Sequence, residues 1–464
     1  MDSVQLYQRL PLALQDLACS FAGWRIQRTR YNREFWSMLR EYEERANWPV
    51  ERIVDYRDAR MRRFIRHAAE TVPYYRNLFR REGLDPRDFT CFDDLVQLPI
   101  LPKATVKNNL GEFESEAVPR DKRLAFHTSG TTGGGLRFES TLEGSQEQWA
   151  VWWRYRRRLG ITLGTWCGYF GGRSVVPAGQ IDPPFWRYNR PGKQILYSGY
   201  HISPKNLPYY LDNLRRWKPS WLHGYPSLLA LLAAYVLDSG DELDYQVEHI
   251  TIGAENLLPQ QVQVIERAFG IAPRQHYGMA EAVANISEWP DGKLRVDEDF
   301  SVVEFIATDV PDQYRVVGTN FTNPATPLIR YDVGDLAMLP PESQAQDAHG
   351  RFVESIDGRR EDYVVLPSGA RVGRMDHVFK DQTNIREAQI HQCVVGEVTL
   401  RVVRGHAYTQ QDGNRLLAEM RERIGDDTRI NIEYVDGLER SRTGKLRFVI
   451  SELDEGRLTQ GGHS

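Results

Sequence analysis

The stretch SWLHGYPSLLALLAAYVL, running from Ser220 to Leu237, decides the fold. Ser220-Trp221-Leu222-His223 is an apolar run of strand length, and Gly224-Tyr225 makes a turn after it. Pro226 then opens a helix that reaches Leu237, since proline is favoured at the first helical position. The alternation continues downstream. His249-Ile250-Thr251-Ile252 predicts a strand, Gln260 to Phe269 a helix, and Arg274-Gln275-His276-Tyr277 another strand. Strands alternating with helices indicate a parallel sheet covered by helices. Ligands of such sheets gather beyond the carboxyl ends of the strands. His223, Glu255 and Glu281 each closely follow such an end, so they are expected near one another.

Upstream, Leu124-Ala125-Phe126-His127 reads as a short strand delivering a loop, Thr128-Ser129-Gly130-Thr131-Thr132-Gly133-Gly134-Gly135. Glycines let backbone N–H groups approach a ligand closely, and Ser/Thr hydroxyls add donors, a chemistry suited to polyphosphate. Gly130 to Gly135 has the spacing of a nucleotide P-loop, but Leu136-Arg137 stands where Lys-Ser/Thr would follow. By itself such a run is more often a flexible turn.

Residues 1–95 read as a helical region rich in arginine and aromatics, broken at Pro49, Pro73 and Pro86. Residues 96–359 form the core region. It includes a helix from Gly144 to Leu159 and, from Lys293 to Leu339, short strands such as Val302–Phe305 and Tyr314–Val317 that suggest an antiparallel sheet or small barrel. Residues 360–455 mix strands and helices as a small α+β domain, joined through the charged segment Gly358-Arg359-Arg360-Glu361-Asp362, a candidate hinge. The polar tail, 456–464, is expected to be disordered.

With 464 residues, 26% charged and 41% hydrophobic, the chain has the composition of a globular protein of two or three domains. Its net charge of −4 argues against general nucleic-acid binding. The four cysteines, Cys19, Cys91, Cys167 and Cys393, are widely spaced, which suits a reducing cytoplasm. No apolar run approaches the ~20 residues of a membrane span. The segment Leu10 to Trp24 superficially has the look of a signal peptide, but Asp2, Gln15 and Asp16 oppose that reading. Two alternatives stay open: a packed amphipathic helix, or an interfacial helix lying on a membrane, backed by Arg25, Arg28 and Arg30.

Five further segments follow the glycine loop in order: Gly253-Ala254-Glu255, Tyr277-Gly278-Met279-Ala280-Glu281, Pro327 to Asp335, Gly358 to Asp362, and Arg442-Thr443-Gly444-Lys445. This set resembles the adenylate-forming (acyl-CoA synthetase and ligase) superfamily. Within it the chain is similar to the phenylacetate–CoA ligase branch and to CapK-type proteins of capsular polysaccharide gene clusters. Asn384 to Gln389 and Val72-Pro73-Tyr74-Tyr75-Arg76 add to the likeness, which covers roughly residues 65 to 450. The fold it implies is α/β. A large N-terminal adenylating domain would combine parallel α/β sheets with a small antiparallel barrel-like sheet, and a smaller mobile α+β domain would follow.

The resemblance implies a role for each motif. Thr128, Ser129, Gly130, Thr131, Thr132 and Gly133 would hold the phosphates of ATP. Gly253, Ala254 and Glu255 would line the adenine, Tyr277 would stack on it, and Gly278 would belong to the same AMP-binding set. Asp335 would accept hydrogen bonds from the ribose, and Arg359 would reach ribose or phosphate. Glu281 would bind Mg²⁺, a cation that prefers carboxylate oxygen. Lys445 would be the catalytic lysine of adenylation, and Glu361 the hinge acid. His223, Tyr225 and Tyr169 are acyl-pocket candidates.

One departure bears on activity. The family carries a hydroxyl residue before the glutamate, contacting the α-phosphate; here it is Ala280. The reading is an ATP- and Mg²⁺-dependent ligase that makes an acyl-AMP and passes the acyl group to CoA. Two alternatives stand beside it. One is an amide- or ester-forming ligase acting on a surface-polysaccharide precursor, and the other is a nucleotide-binding protein without turnover. The partners implied are a small carboxylate and a CoA, amine or sugar-linked acceptor, with peripheral membrane contact open and the chain a monomer or homodimer.

Overall fold

The computed structural model describes the chain apart from residues 1–5, 8, 128–135, 172, 174, 178–179, 204, 342–344, 360–363, 368–370, 373–374, 376–377, 379–383, 441–445 and 454–464. It divides into two compact units, each made of separate stretches of chain. The first comprises Met1–Ser20, Thr165–Arg274 and Gly358–Ser464, and the second Phe21–Gly164 and Gln275–Asp357.

In the first unit, strands His249–Ile252, Trp221–Gly224, Cys167–Gly171 and Gln194–Ser198 lie side by side in parallel. Trp186–Asn189 closes the edge antiparallel to Gln194–Ser198. The helix Pro226–Ser239 begins on its proline and stops at Gly240, whose φ of 67° is the left-handed conformation that glycine adopts without cost. Leu228, Leu229, Leu232, Ala233 and Val236 fall on its buried side and pack with Ile250, Ile252 and Phe170 into one core. The helix Pro259–Phe269 repeats the device, from proline to Gly270. Gly224 has a steric reason: a Cβ there would stand 2.0 Å from the carbonyl oxygen of Phe170. Only glycine lets these two strands approach so closely.

A second sheet of the same unit runs in the order Arg429–Tyr434, Glu397–Arg404, Ile385–Val394, Val449–Ser451. With the helix Gln410–Ile424 it buries Ile390, Leu400, Val402, Leu416 and Met420. The segment has the mixed α+β character expected from the sequence.

The second unit carries the helices Arg33–Arg45, Val50–Thr71, Pro73–Glu82 and Leu142–Arg158. Pro49 and Pro73 stand at helix starts, as their lack of an N–H favours. Strands Ser301–Ala307, Gln313–Asn320 and Tyr331–Met338 form an antiparallel sheet. A separate antiparallel run joins Arg274–Gly278, Asn285–Glu288, Leu294–Val296 and Gly350–Val353. Arg154 does not meet solvent, although it borders the basic last turn of Leu142–Arg158. It is buried and bound to Asp297 and Asp299, and Arg45 bonds the same Asp299. Burial, and then the nearby Arg154, pull the Arg158 guanidinium down to about 10.

The helix Leu12–Arg30 inverts the usual amphipathic arrangement. Its polar residues are the ones that dock: Gln15 accepts from Arg187, and Asp16 accepts from the backbone N–H of Tyr188. Its apolar residues Leu14, Leu17, Phe21 and Trp24 recur every three to four positions and remain exposed, Leu17 by 63% and Phe21 by 61%. Phe21 stacks on Trp24, and Arg28 lies over the Trp24 ring. The packed-amphipathic reading of this segment is therefore corrected: the buried side is polar. Among the described residues no helix is long and apolar enough to cross a membrane.

Candidate functional site

The first unit brings His223 and Glu255 to the ends of adjacent parallel strands, as the sheet rule predicts. The His223 Nδ1 lies 2.8 Å from Thr251 Oγ1 and 3.0 Å from the Thr251 carbonyl, so this ring edge is held by the neighbouring strand. Its other neighbour is Tyr169, with ring centres 5.7 Å apart. Arg173 sits over the same tyrosine, 5.4 Å from its centroid. Tyr225 is buried in the core, and its N–H donates to Phe170. His201 is buried as well. It stacks on Phe185, and its Nδ1 lies 2.7 Å from Ser198 Oγ.

Gly253-Ala254-Glu255 leaves the strand His249–Ile252 through a tight turn in which Ala254 takes a φ of +68°. A non-glycine residue in that region is uncommon and costs about 1 kcal/mol or more, a strain that gathers at functional sites. The Glu255 side chain then reaches two backbone donors. Its Oε2 accepts from Ser227 N–H at 3.3 Å, in the first turn of Pro226–Ser239, and its Oε1 accepts from Leu446 N–H at 2.8 Å. Leu446 immediately follows Lys445. Arg440 joins the cluster by donating to Ser227 Oγ at 2.7 Å and pairing with Glu387.

Two carboxylates thus share one guanidinium. Burial raises both above the ordinary carboxylate range, Arg440 counteracts it, and for Glu387 the neighbouring Glu255 adds to the rise. Beside them is a cavity of about 40 Å³, lined among others by Ser227, Gln261, Glu387 and Leu446. It has room for a few waters, not for a nucleotide.

The second unit holds the other candidates. Tyr277 ends the strand Arg274–Gly278, and its hydroxyl donates to Asp335 Oδ2 at 2.8 Å. A sequence separation of 58 residues is closed here by one bond. Asp335 lies in Tyr331–Met338, just after Gly334, which adopts a φ of +81°. Glu281 is buried, with its Oε1 3.4 Å from the Tyr331 hydroxyl and 3.9 Å from Lys103 Nζ. Its carbonyl accepts from Asn320. Ala280, the residue before it, packs against the core.

Lys103 was invisible in the sequence. It is carried here because Leu101 pairs with the strand at Tyr331: Leu101 N–H donates to Arg330 and Asp332 N–H donates to Leu101. Nothing local to Leu101-Pro102-Lys103 signals that long-range pairing. Nearby, His276 is packed between Trp152 and Tyr155. Burial and then Arg156 push its imidazole down to about 3, so it is neutral and structural at physiological pH.

Thr128, Ser129, Gly130, Thr131, Thr132, Gly133, Glu361 and Lys445 lie outside the described residues. Arg359 ends the strand Ser355–Arg359. Gly168 packs tightly, since a Cβ there would stand 2.8 Å from Leu222, so it opens no space for a ligand.

Residues 364–452 match the family model of the CapK C-terminal domain. Over 97% of this chain, and 99% of the relative, the sequence is 25% identical to Protein CapK of Staphylococcus aureus. It is 24% identical to the phenylacetate-coenzyme A ligase of Pseudomonas putida over 68% of this chain and 73% of that enzyme. The chain is thus similar to CapK over nearly its whole length and to adenylate-forming CoA ligases over about two thirds of it. The fold agrees. The structure of 2-hydroxyisobutyryl-CoA ligase in its postadenylation state, in complex with R3-HIB-AMP, superposes with a TM-score of 0.66 at 17% identity. That match covers 90% of this chain and 93% of the ligase.

Proposed function

We propose that this protein is an adenylate-forming ligase, which activates a small carboxylate with ATP and Mg²⁺ as its acyl-adenylate and transfers the acyl group to an acceptor, CoA in the simplest case. The observation that carries this is the pairing, within one unit, of Tyr277 with Asp335 and of Glu281 with Lys103 and Tyr331. These are the side chains a nucleotide with a phosphate-bound cation would engage. Glu281 offers the hard oxygen that suits Mg²⁺, and Lys103 sets an ammonium beside it for phosphate. Bound Mg²⁺ would neutralise phosphate charge as the mixed anhydride forms.

In this reading a carboxylate oxygen attacks the α-phosphorus, and pyrophosphate leaves with the bridging oxygen. Lys445 neutralises charge during that step. The bond from Leu446 N–H to Glu255 supports the assignment, because it holds the residue after Lys445 beside Gly253-Ala254-Glu255. The acceptor then attacks the acyl carbon, and AMP departs. Tyr169, His223 and Arg173 are the candidates to meet the acid, and their basic and aromatic character favours a polar or anionic one.

A second reading, amide or ester formation on a surface-polysaccharide precursor, has its own support. The CapK relative spans 97% of the chain whereas the phenylacetate–CoA ligase spans 68%, and the terminal domain is of the CapK type. The exposed stripe Leu14-Leu17-Phe21-Trp24, with Arg25 and Arg28 beside it, suits peripheral contact with an anionic lipid surface.

Carboxylate-dependent exchange of labelled pyrophosphate into ATP, over a panel of acids, tests adenylation. Absence of exchange with every acid, despite measurable ATP binding, would refute it. Stimulation of AMP release by CoA or by an amino sugar then decides the acceptor. Lys445→Ala should abolish exchange with ATP affinity little changed.

A further inference from the structure

His391, Cys393 and Glu452 converge at the rim of the C-terminal sheet. His391 and Cys393 lie two residues apart on the strand Ile385–Val394, and alternation places them on one face. An irregularity in the pairing with Glu397–Arg404 falls between His391 and Val394, a device that re-aims side chains. Glu452 arrives from the neighbouring chain segment. Val449–Ser451 runs parallel to Ile385–Val394 with Gln392 opposite Ser451, and Glu452 N–H donates to the Gln392 carbonyl at 2.9 Å.

The distances among the three polar groups are specific. His391 Nε2 is 3.1 Å from Glu452 Oε1, Cys393 Sγ is 3.5 Å from Glu452 Oε2, and Cys393 Sγ is 3.8 Å from His391 Nε2. Around a tetrahedral zinc, ligand bonds of ~2.1 Å to nitrogen and oxygen and ~2.3 Å to sulfur set nitrogen and oxygen about 3.4 Å apart, and sulfur about 3.6 Å from either. His391 meets Oε1 of Glu452 and Cys393 meets Oε2, so a small turn of the carboxylate is needed for one oxygen to serve both edges; one ligand atom from each of the three residues already lies within 4.8 Å of the other two.

We propose that His391, Cys393 and Glu452 form a binding site for a transition-metal dication, zinc by preference, with water in the fourth position. A thiolate, an imidazole and a carboxylate together suit a borderline-soft ion, whereas Mg²⁺ and Ca²⁺ prefer oxygen alone. Binding forms metal–sulfur, metal–nitrogen and metal–oxygen bonds. It displaces the thiol proton to solvent and breaks the hydrogen bonds that Glu452 accepts. The consequence is mechanical: the ion ties the end of the short strand Val449–Ser451, which follows the Lys445 segment, to the far end of its neighbour Ile385–Val394. The site does not depend on the ligase reading.

Co²⁺ is the probe. The full-length protein, stripped with a chelator, is titrated with Co²⁺ and then with Zn²⁺. One equivalent should produce a thiolate-to-cobalt charge-transfer band with the intense visible bands of tetrahedral Co²⁺, and Zn²⁺ should bleach both. Cys393→Ser should lose the charge-transfer band. His391→Ala and Glu452→Gln should weaken Co²⁺ binding by roughly tenfold or more, with the circular dichroism of the wild type. Zn²⁺ should raise the unfolding midpoint of the wild type and not of Cys393→Ser. Absence of the band in the wild type overturns the proposal. So does its survival in Cys393→Ser, which would assign it to another thiol, or full Co²⁺ affinity in both His391→Ala and Glu452→Gln.

Discussion

Glu255→Ala should loosen the segment that follows Lys445, and the size of the effect can be worked out. The carboxylate accepts one short bond, from Leu446 N–H at 2.8 Å, and one long bond, from Ser227 N–H at 3.3 Å. A hydrogen bond to a charged group contributes about 1.5–3 kcal/mol. Against this, removal of Glu255 ends its repulsion of Glu387 and leaves Arg440 paired with Glu387 alone among these two acids. The net loss should be about 2 kcal/mol, which is about 30-fold in the local opening equilibrium.

Amide hydrogen exchange at Leu446, followed in the full-length chain, reads this directly. Exchange should speed up about 30-fold in Glu255→Ala and less in Glu255→Gln, whose amide oxygen still accepts. The pH dependence has a definite sign. Because burial raises the Glu255 carboxyl in the folded protein, the folded state binds the proton more readily than the unfolded one. Its contribution to stability is therefore greatest in acid and declines as pH rises from the ordinary carboxylate range through the raised value. Glu255→Gln should flatten that slope. Unchanged exchange at Leu446 in a folded Glu255→Ala protein would refute the reasoning.

Four further substitutions, Gly111→Ala among them as a control, probe other parts of the molecule. Ala280→Thr restores a hydroxyl before Glu281 and should speed pyrophosphate exchange about tenfold, the yield of one charged hydrogen bond; an equal or slower rate would mean that no such bond is available. Gly224→Ala drives a methyl to 2.0 Å from the Phe170 carbonyl and should lower the thermal midpoint by about 5 °C or more, while Gly111→Ala, with open space around it, should be near neutral. Glu298 lies buried between Arg57 and Arg351; burial alone would raise its carboxyl, but Arg351 and Arg57 outweigh it and hold the group below the ordinary range. Its stabilisation is present at neutral pH and is lost as pH falls through and below the ordinary carboxylate range, so Glu298→Gln should cost about 3 kcal/mol at pH 7 and flatten the acid limb of denaturant-measured stability.

Much of the architecture could be read from local pattern. His249–Ile252 occurs where expected, and the helix starts at Pro226 and Pro73 follow from the missing proline N–H. These are features that each segment encodes for itself. In the amino-terminal helix apolar periodicity does not mark the buried side, because Gln15 and Asp16 find partners in Arg187 and Tyr188, far along the chain. Lys103, Arg440 and Glu387 escaped for the same reason. Their roles arise from pairings that span tens to hundreds of residues, such as Arg440 with Ser227. Glu281, Tyr277 and Asp335 could be singled out because order along the chain, not local chemistry, marked them.

The bond between Tyr277 and Asp335 has a thermodynamic consequence. One carboxylate oxygen is already engaged by a phenol before any ligand arrives. A ligand hydroxyl that comes to this same Oδ2 enters by exchange, giving one partner for another, so the enthalpy gained there is a difference between two similar terms. Affinity must then come from elsewhere in the ligand, and the carboxylate acts as a discriminator. A ligand that lacks the hydroxyl leaves the phenol in place, and the environment of Tyr277 becomes a spectroscopic record of which ligand is bound.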